Sequence, residues 1–315
     1  MKVTLVSTLL NEAKGIDEFL ASLQAQRRPP DEWVVVDGGS TDGTSGALEA
    51  FAVKALFPVR ILCEAGCNIA RGRNLAIRAA QYDIIAATDA GCRLDPGWLE
   101  ALVEPFSQGA AAVAGWYEPD PRTPFERRIS MATFQRLDQV DPATFLPSSR
   151  SIAFRRDVWQ TIGGYPEGLR LTGEDTAFDL AVQRAGYSFV FTPQAVVRWR
   201  PRGTWRGFLR QQYLYGFGDG EAGQAGRMAL RNTLKTALSA SGLVVIPLWP
   251  RSGLCLAMVF VLILTARLRQ FRWPWHDVVP GVAILPMMWT SQVLGYVVGL
   301  WCRWKSRIAT SNIHL

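Results

Sequence analysis

This sequence of 315 residues has little histidine, little cysteine and few charged side chains. His276 and His314 are its two histidines, and both lie in the C-terminal region. The cysteines are odd in number and irregularly spaced, which argues against paired-cysteine zinc and a disulfide framework and favours reduced thiols facing the cytosol. They are Cys63, Cys67, Cys92, Cys255 and Cys302. Charged residues make up 19% of the chain, against about a quarter in a typical soluble protein.

The N-terminus also lacks a long apolar run. The run from Val3 to Leu10 is short and contains polar residues, so we expect no signal peptide. A net charge of +7 suits nucleic acid, an anionic membrane surface or phosphorylated substrates. Because no zinc finger, basic zipper or RNA-binding signature is present, we expect no nucleic-acid partner. Arginines concentrate between Arg198 and Arg231 and beside the apolar C-terminal segments.

The first part of the chain alternates short apolar runs with segments of helical periodicity. This alternation predicts an α/β unit with a parallel sheet and helices on both faces. The predicted strands are 3–10, 33–36, 59–63 and 84–88, and the predicted helices are 16–26, 41–51, 69–80 and 174–186.

Three acidic residues directly follow predicted strands: Glu12, Asp37 and Asp89. In open α/β sheets, ligands bind outside the carboxyl ends of the strands. One such acid is no more than an ordinary polar loop residue, but three in register predict a binding site at one sheet edge. Glu174 and Asp175 begin a predicted helix, where acids also suit the helix dipole, so capping is an alternative role for this pair.

The composition changes after Arg231. The chain length suggests two units, which we place at residues 1–230 for the α/β domain and 231–315 for hydrophobic, membrane-associated helices. A membrane span needs about 20 apolar residues, and 278–302 qualifies, whereas 234–248 and 254–266 are short and could form a hairpin or one broken span. Tryptophan and basic residues at the edges fit interfacial anchoring. A buried helical subdomain is the alternative.

Six short motifs follow one another along about the first two hundred residues. They are Val6 to Glu12, Val34 to Thr44, Ala70-Arg71-Gly72-Arg73-Asn74, Ile84 to Gly91, Gly163-Gly164-Tyr165 and Gly173-Glu174-Asp175. In this order and spacing, which make them specific, they resemble the family-2 inverting glycosyltransferases of GT-A fold. The resemblance implies a GT-A fold, meaning a Rossmann-like, mostly parallel sheet, followed here by a C-terminal helical membrane region.

The resemblance also implies roles for individual residues. Asp37 reads the nucleotide base, and Glu12 and Asp89 lie near the ribose. Arg71 or Arg73 lies near the base or the phosphates, with a solvated helix face as the alternative for either one. Carboxylates and guanidinium groups have the hydrogen-bonding capacity for these contacts. Asp175 is the expected catalytic base.

Glu174 is the weaker candidate for the base, and it could instead orient the acceptor. The sequence departs from the family pattern at two places. The Asp-x-Asp turn, whose second acid holds a divalent metal, reads Asp89-Ala90-Gly91 here. The family histidine after the strand that follows the Glu-Asp helix is absent, because residues 196–200 read Val-Val-Arg-Trp-Arg. Mg²⁺ or Mn²⁺ is the cofactor expected from the family, with Asp89 as its candidate ligand, and the incomplete motif puts that expectation in question.

Arginine is a candidate replacement for the metal, because guanidinium groups stabilise diphosphate charge. Arg198, Arg200 and Arg202 precede the two we assign to the diphosphate, Arg206 and Arg210. Binding an anionic membrane surface is an equally weighted alternative. The Gln-x-x-Arg-Trp signature of processive synthases is degraded at residues 211–215, which disfavours a processive polymerase.

These implications combine into one functional prediction. The chain would transfer a sugar, with inversion, from a nucleotide sugar, preferably a UDP-sugar, to a lipid-linked or envelope polysaccharide acceptor. It would lie in the cell (inner) membrane, multi-pass or membrane-associated, with its catalytic domain in the cytoplasm. A sugar-nucleotide pyrophosphorylase is disfavoured because residues 8–15 lack its glycine-rich loop. A catalytically decayed, nucleotide-sugar-binding membrane scaffold is the other alternative.

Overall fold

The computed structural model describes residues 1–224, 226, 228–237, 258, 261–262, 265 and 274–311. The chain divides into two compact units. The first comprises Met1–Asp120, Gln135–Arg170 and Glu174–Arg200, and the second comprises Pro121–Phe134, Leu171–Gly173 and Pro201–Leu315. The predicted domain boundary at residue 230 remains a prediction.

The first unit contains one eight-stranded sheet with the order β3-β2-β1-β4-β7-β6-β8-β5. The strands are β1 Val3–Leu9, β2 Glu32–Asp37, β3 Val59–Cys63, β4 Ile84–Ala87, β5 Cys92–Leu94, β6 Ala112–Pro119, β7 Ile152–Arg155 and β8 Phe189–Trp199. Its helices are α1 Ile16–Gln24, α2 Thr44–Lys54, α3 Ile69–Ala79, α4 Trp98–Val103, α6 Arg156–Ile162 and α7 Glu174–Arg184. Short 3-10 helices cover Glu104–Gln108 and Leu137–Gln139.

The predicted alternation of strands and helices is confirmed for β1 to β4. All six residues of β2 are buried, and β1 is buried along nearly its whole length. Strands buried on both faces are typical of the centre of a parallel sheet. The pairs β1–β2, β1–β4 and β2–β3 are parallel, so the carboxyl ends of these strands lie at one edge.

The other half of the sheet is mixed. Strand β7 pairs antiparallel with β4 and β6, β6 pairs parallel with β8, and β5 pairs antiparallel with β8. The β6–β8 register shifts between Ala114 and Trp116. A side chain at Gly115 would lie 2.0 Å from Ser151 Oγ, so this irregular position requires glycine.

The second unit is helical in its described residues. It contains α5 Pro124–Thr133, α8 Trp205–Ala222 and the long helix α9 Trp275–Ser311, which continues through Pro280 and Pro286. A capping box begins α5, in which Thr123 and Glu126 satisfy each other's backbone N–H groups. A small apolar cluster joins Ile129, Phe208, Ile284, Leu285, Met288 and Trp289.

Helices α8 and α9 pack closely through glycines spaced four residues apart on each helix. A Cβ atom at Gly216 or Gly220 would lie 2.0 or 2.2 Å from a backbone oxygen of α9. A Cβ atom at Gly295 or Gly299 would lie 2.0 or 2.2 Å from a backbone oxygen of α8. Such small-residue interfaces let two helix backbones approach, as they do in membrane helix pairs.

Within α9, residues Ile284–Ser306 form a 23-residue segment with a mean hydropathy of 1.2. Among the described residues, this is the helix that is long and apolar enough to cross a membrane. It overlaps the predicted span at 278–302. The two shorter apolar stretches, 234–248 and 254–266, lie mostly outside the described residues.

Candidate functional site

The loops that follow β1 and β2 are tied together at the carboxyl edge of the sheet. The Asn11 carboxamide oxygen accepts a hydrogen bond from the Thr41 N–H at 2.9 Å, and the Glu12 N–H donates to Thr44 Oγ1 at 2.9 Å. Asn11 has a φ of 55°, a conformation in which asparagine is enriched among non-glycine residues. A Cβ atom at Gly91 would be 3.9 Å from Glu12 Oε2, so the Glu12 carboxylate lies beside the turn after β4.

Asp37 closes the turn at the end of β2. Its Oδ1 atom accepts hydrogen bonds from the Gly39 and Ser40 N–H groups at 3.1 and 2.8 Å, and its Oδ2 atom accepts one from the Ser45 hydroxyl. Burial works to raise the pKa of Asp37, but these hydrogen bonds outweigh it and hold the pKa below its usual value. The carboxylate therefore stays ionised and shapes this loop. Its role in reading a base stays a prediction.

Arg73 joins two acids that are distant in sequence. From α3, its Nη1 atom donates to Glu174 Oε1 at 2.7 Å and its Nη2 atom donates to Asp89 Oδ1 at 2.8 Å. The Arg73 side chain is only 4% exposed, and the Glu174 side chain is 11% exposed. The predicted residues Arg73, Asp89 and Glu174 thus meet in one cluster. Asp175 follows Glu174 directly in the chain.

The charges in this cluster are unequal. Burial alone would lower the pKa of Arg73, but the carboxylates of Asp89 and Glu174 raise it, so the guanidinium stays charged. Burial would raise the pKa of Asp89, yet Arg73 and Arg150 outweigh it and keep the pKa low. Burial raises the pKa of Glu174 against the effect of Arg73, and the charge of Asp175 adds to the rise. The two acids bound by Arg73 therefore differ, because the pKa of Asp89 lies below its usual value and the pKa of Glu174 lies above it.

Asn74 holds the Gly163-Gly164-Tyr165 turn against α3. Its amide nitrogen donates to the Tyr165 carbonyl at 2.8 Å, and its carboxamide oxygen accepts from the Tyr165 N–H at 2.9 Å. Gly164 has a φ of +83°, and a Cβ atom there would lie 2.8 Å from that oxygen. The Tyr165 ring stacks on Phe178 at 4.1 Å. The contacts explain why motifs ninety residues apart in the sequence belong to one site.

Asp175 lies in the first turn of α7, beside the buried cluster. Its Oδ1 atom accepts a hydrogen bond from the Thr176 N–H at 2.9 Å. Capping therefore contributes to this helix end, but the ion pair of Glu174 with Arg73 shows that Glu174 does more than cap. One turn later, Asp179 is 1% exposed, and burial raises its pKa well above the usual value. Acids at positions i and i+4 of a helix share a face, and this spacing was the signal in the sequence that could have placed Asp179 at the site.

Arg150 and Trp199 are site residues that the sequence pattern did not identify. Arg150 lies in the loop before β7, and its Nε atom is 3.7 Å from Asp89 Oδ2. Its guanidinium carbon is 4.4 Å from the centre of the Trp199 ring. A lone arginine in a proline-bounded polar loop carries no periodic signal, so only the strand pairing reveals its position.

Other predicted arginines are placed elsewhere or belong to the second unit. Arg71 pairs with Glu64 at an exposed position, with 51% of its side chain accessible. Arg198 forms a two-point ion pair with Asp95 at 2.8 and 3.0 Å and also bonds to Glu118. Arg206 and Arg210 lie on α8 in the second unit, and their diphosphate role stays a prediction.

The single acid of the turn, Asp89, does not fit a divalent cation held by the protein. A hard cation prefers several oxygen ligands. Here Gly91 offers no side chain, and the two oxygens of Asp89 face the guanidinium groups of Arg73 and Arg150. Among the residues that the structure describes, no group of three or more His, Cys, Asp or Glu side chains could hold a metal ion.

Two family models match this chain. Residues 4–163 match glycosyl transferase family 2, and residues 84–302 match glycosyl transferase family group 2. The matches together cover the sheet, the Arg73 cluster and the long C-terminal helix as far as Cys302.

Bacterial polysaccharide proteins are among the relatives. The O-antigen chain rhamnosyltransferase RfbN of Salmonella typhimurium is 26% identical over 211 residues, which are 63% of this chain and 66% of that protein. The rhamnosyltransferase WbaN of Salmonella anatum is 23% identical, over 58% of this chain and 60% of its own length. The succinoglycan biosynthesis protein ExoA of Rhizobium meliloti is 26% identical over 68% of each chain. The matched region thus spans less than two thirds of both rhamnosyltransferases.

A solved structure shares the fold. It is the mannosyltransferase PcManGT from Pyrobaculum calidifontis, determined in complex with GDP-Man and Mn²⁺. The TM-score is 0.62 and the sequence identity is 20%, with 96% of this chain and 88% of that chain covered. The likeness confirms the predicted GT-A fold.

Proposed function

Because this chain belongs to glycosyl transferase family 2, we propose that it transfers a sugar from a nucleotide-sugar donor to a lipid-linked or polysaccharide acceptor, with inversion at the anomeric carbon. The observation that carries this proposal is the meeting of Arg73, Asp89 and Glu174, with Asp175 adjacent, at the carboxyl edge of the sheet. Ligands bind at this edge in open α/β sheets.

The proposed chemistry needs one base. Asp175 takes the proton of an acceptor hydroxyl while that oxygen forms a bond to the anomeric carbon. The bond from the anomeric carbon to the phosphate oxygen breaks on the opposite side, and its electron pair leaves with the nucleoside diphosphate. Glu174, fixed by Arg73 and with a raised pKa, orients the acceptor. A positioned base of this kind contributes typically 10²–10⁴-fold to the rate.

Donor binding is assigned to the tied loops after β1 and β2 and to the turn after β4. Glu12 and Asp89 face the ribose, Asp37 the base, and Arg71 remains a candidate for the nucleotide. A UDP-sugar is the proposed donor. The rhamnosyltransferase and succinoglycan relatives support a surface or secreted polysaccharide as the acceptor class. Mg²⁺ or Mn²⁺ is the cofactor expected from the family, but Asp89, the single acid at the turn, does not fit it, so protein groups carry the proposed steps.

A cytosolic active site beside the inner membrane suits this acceptor, because nucleotide sugars are cytosolic. The 23-residue apolar segment Ile284–Ser306 and the glycine contacts of α8 with α9 support a membrane-associated second unit. We propose that residues 231–315 anchor the enzyme, with one or more spans. A catalytically decayed scaffold remains the alternative, favoured by Gly91 and by the missing histidine near Val196.

The first prediction tests the base. We expect Asp175→Asn to lower transfer by roughly 10²–10⁴-fold while donor affinity stays unchanged, because the amide keeps the side-chain shape but cannot accept the proton. Release of nucleoside diphosphate from a panel of nucleotide sugars, with purified full-length chain and lipid or polysaccharide acceptors, measures the rate. NMR of the product reports the anomeric configuration.

Asp157→Asn is the matched control, because Asp157 is an exposed acid paired with Arg155. This control should transfer at the wild-type rate. Substantial turnover by Asp175→Asn would contradict the assignment of the base, and retention of configuration would contradict inversion. Donor binding by the wild type with no transfer to any acceptor would favour the scaffold.

A further inference from the structure

The pairing of β4 with β7 brings Arg150 to the turn that carries Asp89. The strands are antiparallel, and Ala87 at the end of β4 is opposite Ile152 at the start of β7. Two residues beyond each of these positions are Asp89 and Arg150, so the chain register continues from the sheet into the two loops. The distance of 3.7 Å between Arg150 Nε and Asp89 Oδ2 therefore follows from the pairing of these two strands.

The guanidinium of Arg150 is also held from its other sides. Trp199 at the end of β8 is opposite Cys92 in the register, and the Arg150 guanidinium carbon lies 4.4 Å from the centre of its ring. Arg150 Nη1 donates to Ser148 Oγ at 2.9 Å. The ring of Trp199 and the hydroxyl of Ser148 already restrict the Arg150 guanidinium, so it loses little further conformational entropy when it binds an anion. The side chain is 19% exposed, so it still reaches solvent at the site.

The other arginine of the cluster, Arg73, differs from Arg150 in its burial and in its distance from Asp89. Arg73 is nearly buried, and its two terminal nitrogens bind Glu174 and Asp89. Arg150 instead faces Asp89 across a longer gap, next to Gly91, where the family pattern has the acid that holds a cation. A positive charge thus stands beside the first acid of the turn where the second acid is missing.

We propose that Arg150 binds the diphosphate of the donor and stabilises it as the leaving group, in place of a divalent cation. The inference rests on the proposed function. When the bond between the anomeric carbon and the phosphate oxygen breaks, the electron pair stays on that oxygen and negative charge grows on the diphosphate. Arg150 donates N–H groups to this charge from a fixed position, and a planar guanidinium matches phosphate geometry. The predicted diphosphate role of Arg206 and Arg210 stays a prediction beside this one.

A calorimetric titration of the purified full chain in detergent tests the proposal. UDP, GDP, dTDP and CDP and the four corresponding monophosphates are titrated in EDTA and again in Mn²⁺. The proteins are the wild type, Arg150→Gln, Arg150→Lys and the control Arg155→Gln, whose arginine is exposed and pairs with Asp157. Thermal unfolding of each protein checks that the variants are folded.

We expect the diphosphate that binds best to bind equally well in EDTA and in Mn²⁺. Its affinity should fall at least tenfold in Arg150→Gln and less in Arg150→Lys, because lysine keeps the charge but not the planar fork. Affinity for the matching monophosphate should change less, and Arg155→Gln should match the wild type. Should Arg150→Gln fail to fold, Arg150→Lys and the EDTA comparison carry the same test.

Two results would overturn the inference while leaving the proposed function intact. One is a diphosphate affinity in Arg150→Gln equal to that of the wild type or, should that variant not fold, an affinity in Arg150→Lys equal to that of the wild type. The other is wild-type binding that requires Mn²⁺. Binding of no nucleotide by the wild type would overturn the proposed function and this inference together.

Discussion

At the scale of single residues, the site depends on one buried cation. Arg73 neutralises Asp89 and part of Glu174, and breaking a buried ion pair by removing one partner typically costs about 3–5 kcal/mol. Asp175 is adjacent to this pair in the chain and not bonded to Arg73 in the described contacts. Arg73 thus holds the carboxylates of Asp89 and Glu174 in place, and the proposed role of Asp175 as the base requires that its own carboxylate is not held in this way.

Asp179 is a second buried acid whose protonation should affect stability. It is 1% exposed, and its carboxyl oxygens have no hydrogen-bond partner among the described residues. Burial, with the charge of Asp175 adding, raises its pKa well above the ordinary value of about 4. The folded chain therefore holds this proton more tightly than the unfolded chain, and stability falls as the pH rises from about 4 towards the folded pKa.

We expect Asp179→Asn to remove that pH dependence. The variant should gain stability over the wild type above about pH 4, by about 1.4 kcal/mol for each unit separating the folded and unfolded pKa values. Thermal unfolding across pH 4 to 8 measures the difference, with Asp17→Asn on the exposed face of α1 as the control. Parallel pH profiles for Asp179→Asn and the wild type would contradict the raised pKa.

At the scale of elements, the sequence predicts the buried central strands of the sheet and the helices between them. The runs at β1, β2 and β4 are apolar and short, and the acids that follow them lie at one edge as expected. The pattern did not predict that β7 inserts antiparallel between β4 and β6. Pairing between distant strands depends on tertiary packing, which periodicity does not encode, and Arg150 was missed for that reason.

The close glycine contacts between α8 and α9 also lead to a prediction. A Cβ atom at Gly295 would lie 2.0 Å from the Tyr213 carbonyl oxygen, so Gly295→Ala must push the helices apart. We expect a loss of about 1–3 kcal/mol, the usual cost of overpacking, measured by unfolding in detergent.

Gly46→Ala is the matched control. Gly46 is exposed on α2, and nothing lies within 4 Å of its added Cβ atom. Alanine there should stabilise the protein by up to about 1 kcal/mol, because it favours the helix over the unfolded chain. Equal stability changes in the two variants would show that the α8–α9 contact is looser than described.

At the scale of the whole molecule, the family assignment supports a glycosyltransferase, and the association of its second unit with a membrane stays a proposal. The apolar C-terminal helix was predicted from composition, because a run of this length and hydropathy meets the requirement for a span. The sequence predicted a donor class and an acceptor class but not which sugar is transferred or which acceptor molecule receives it, since pocket shape and not motif order sets such specificity.

The central claim is that the carboxyl edge of the sheet binds a nucleotide. Calorimetric titration of the full wild-type chain in detergent with UDP, GDP, dTDP and CDP tests it most directly. We expect one of these four nucleoside diphosphates to bind with a dissociation constant at or below about 1 mM, the upper range of enzyme KM values. Failure of all four to bind would contradict the account and leave the chain without a donor site.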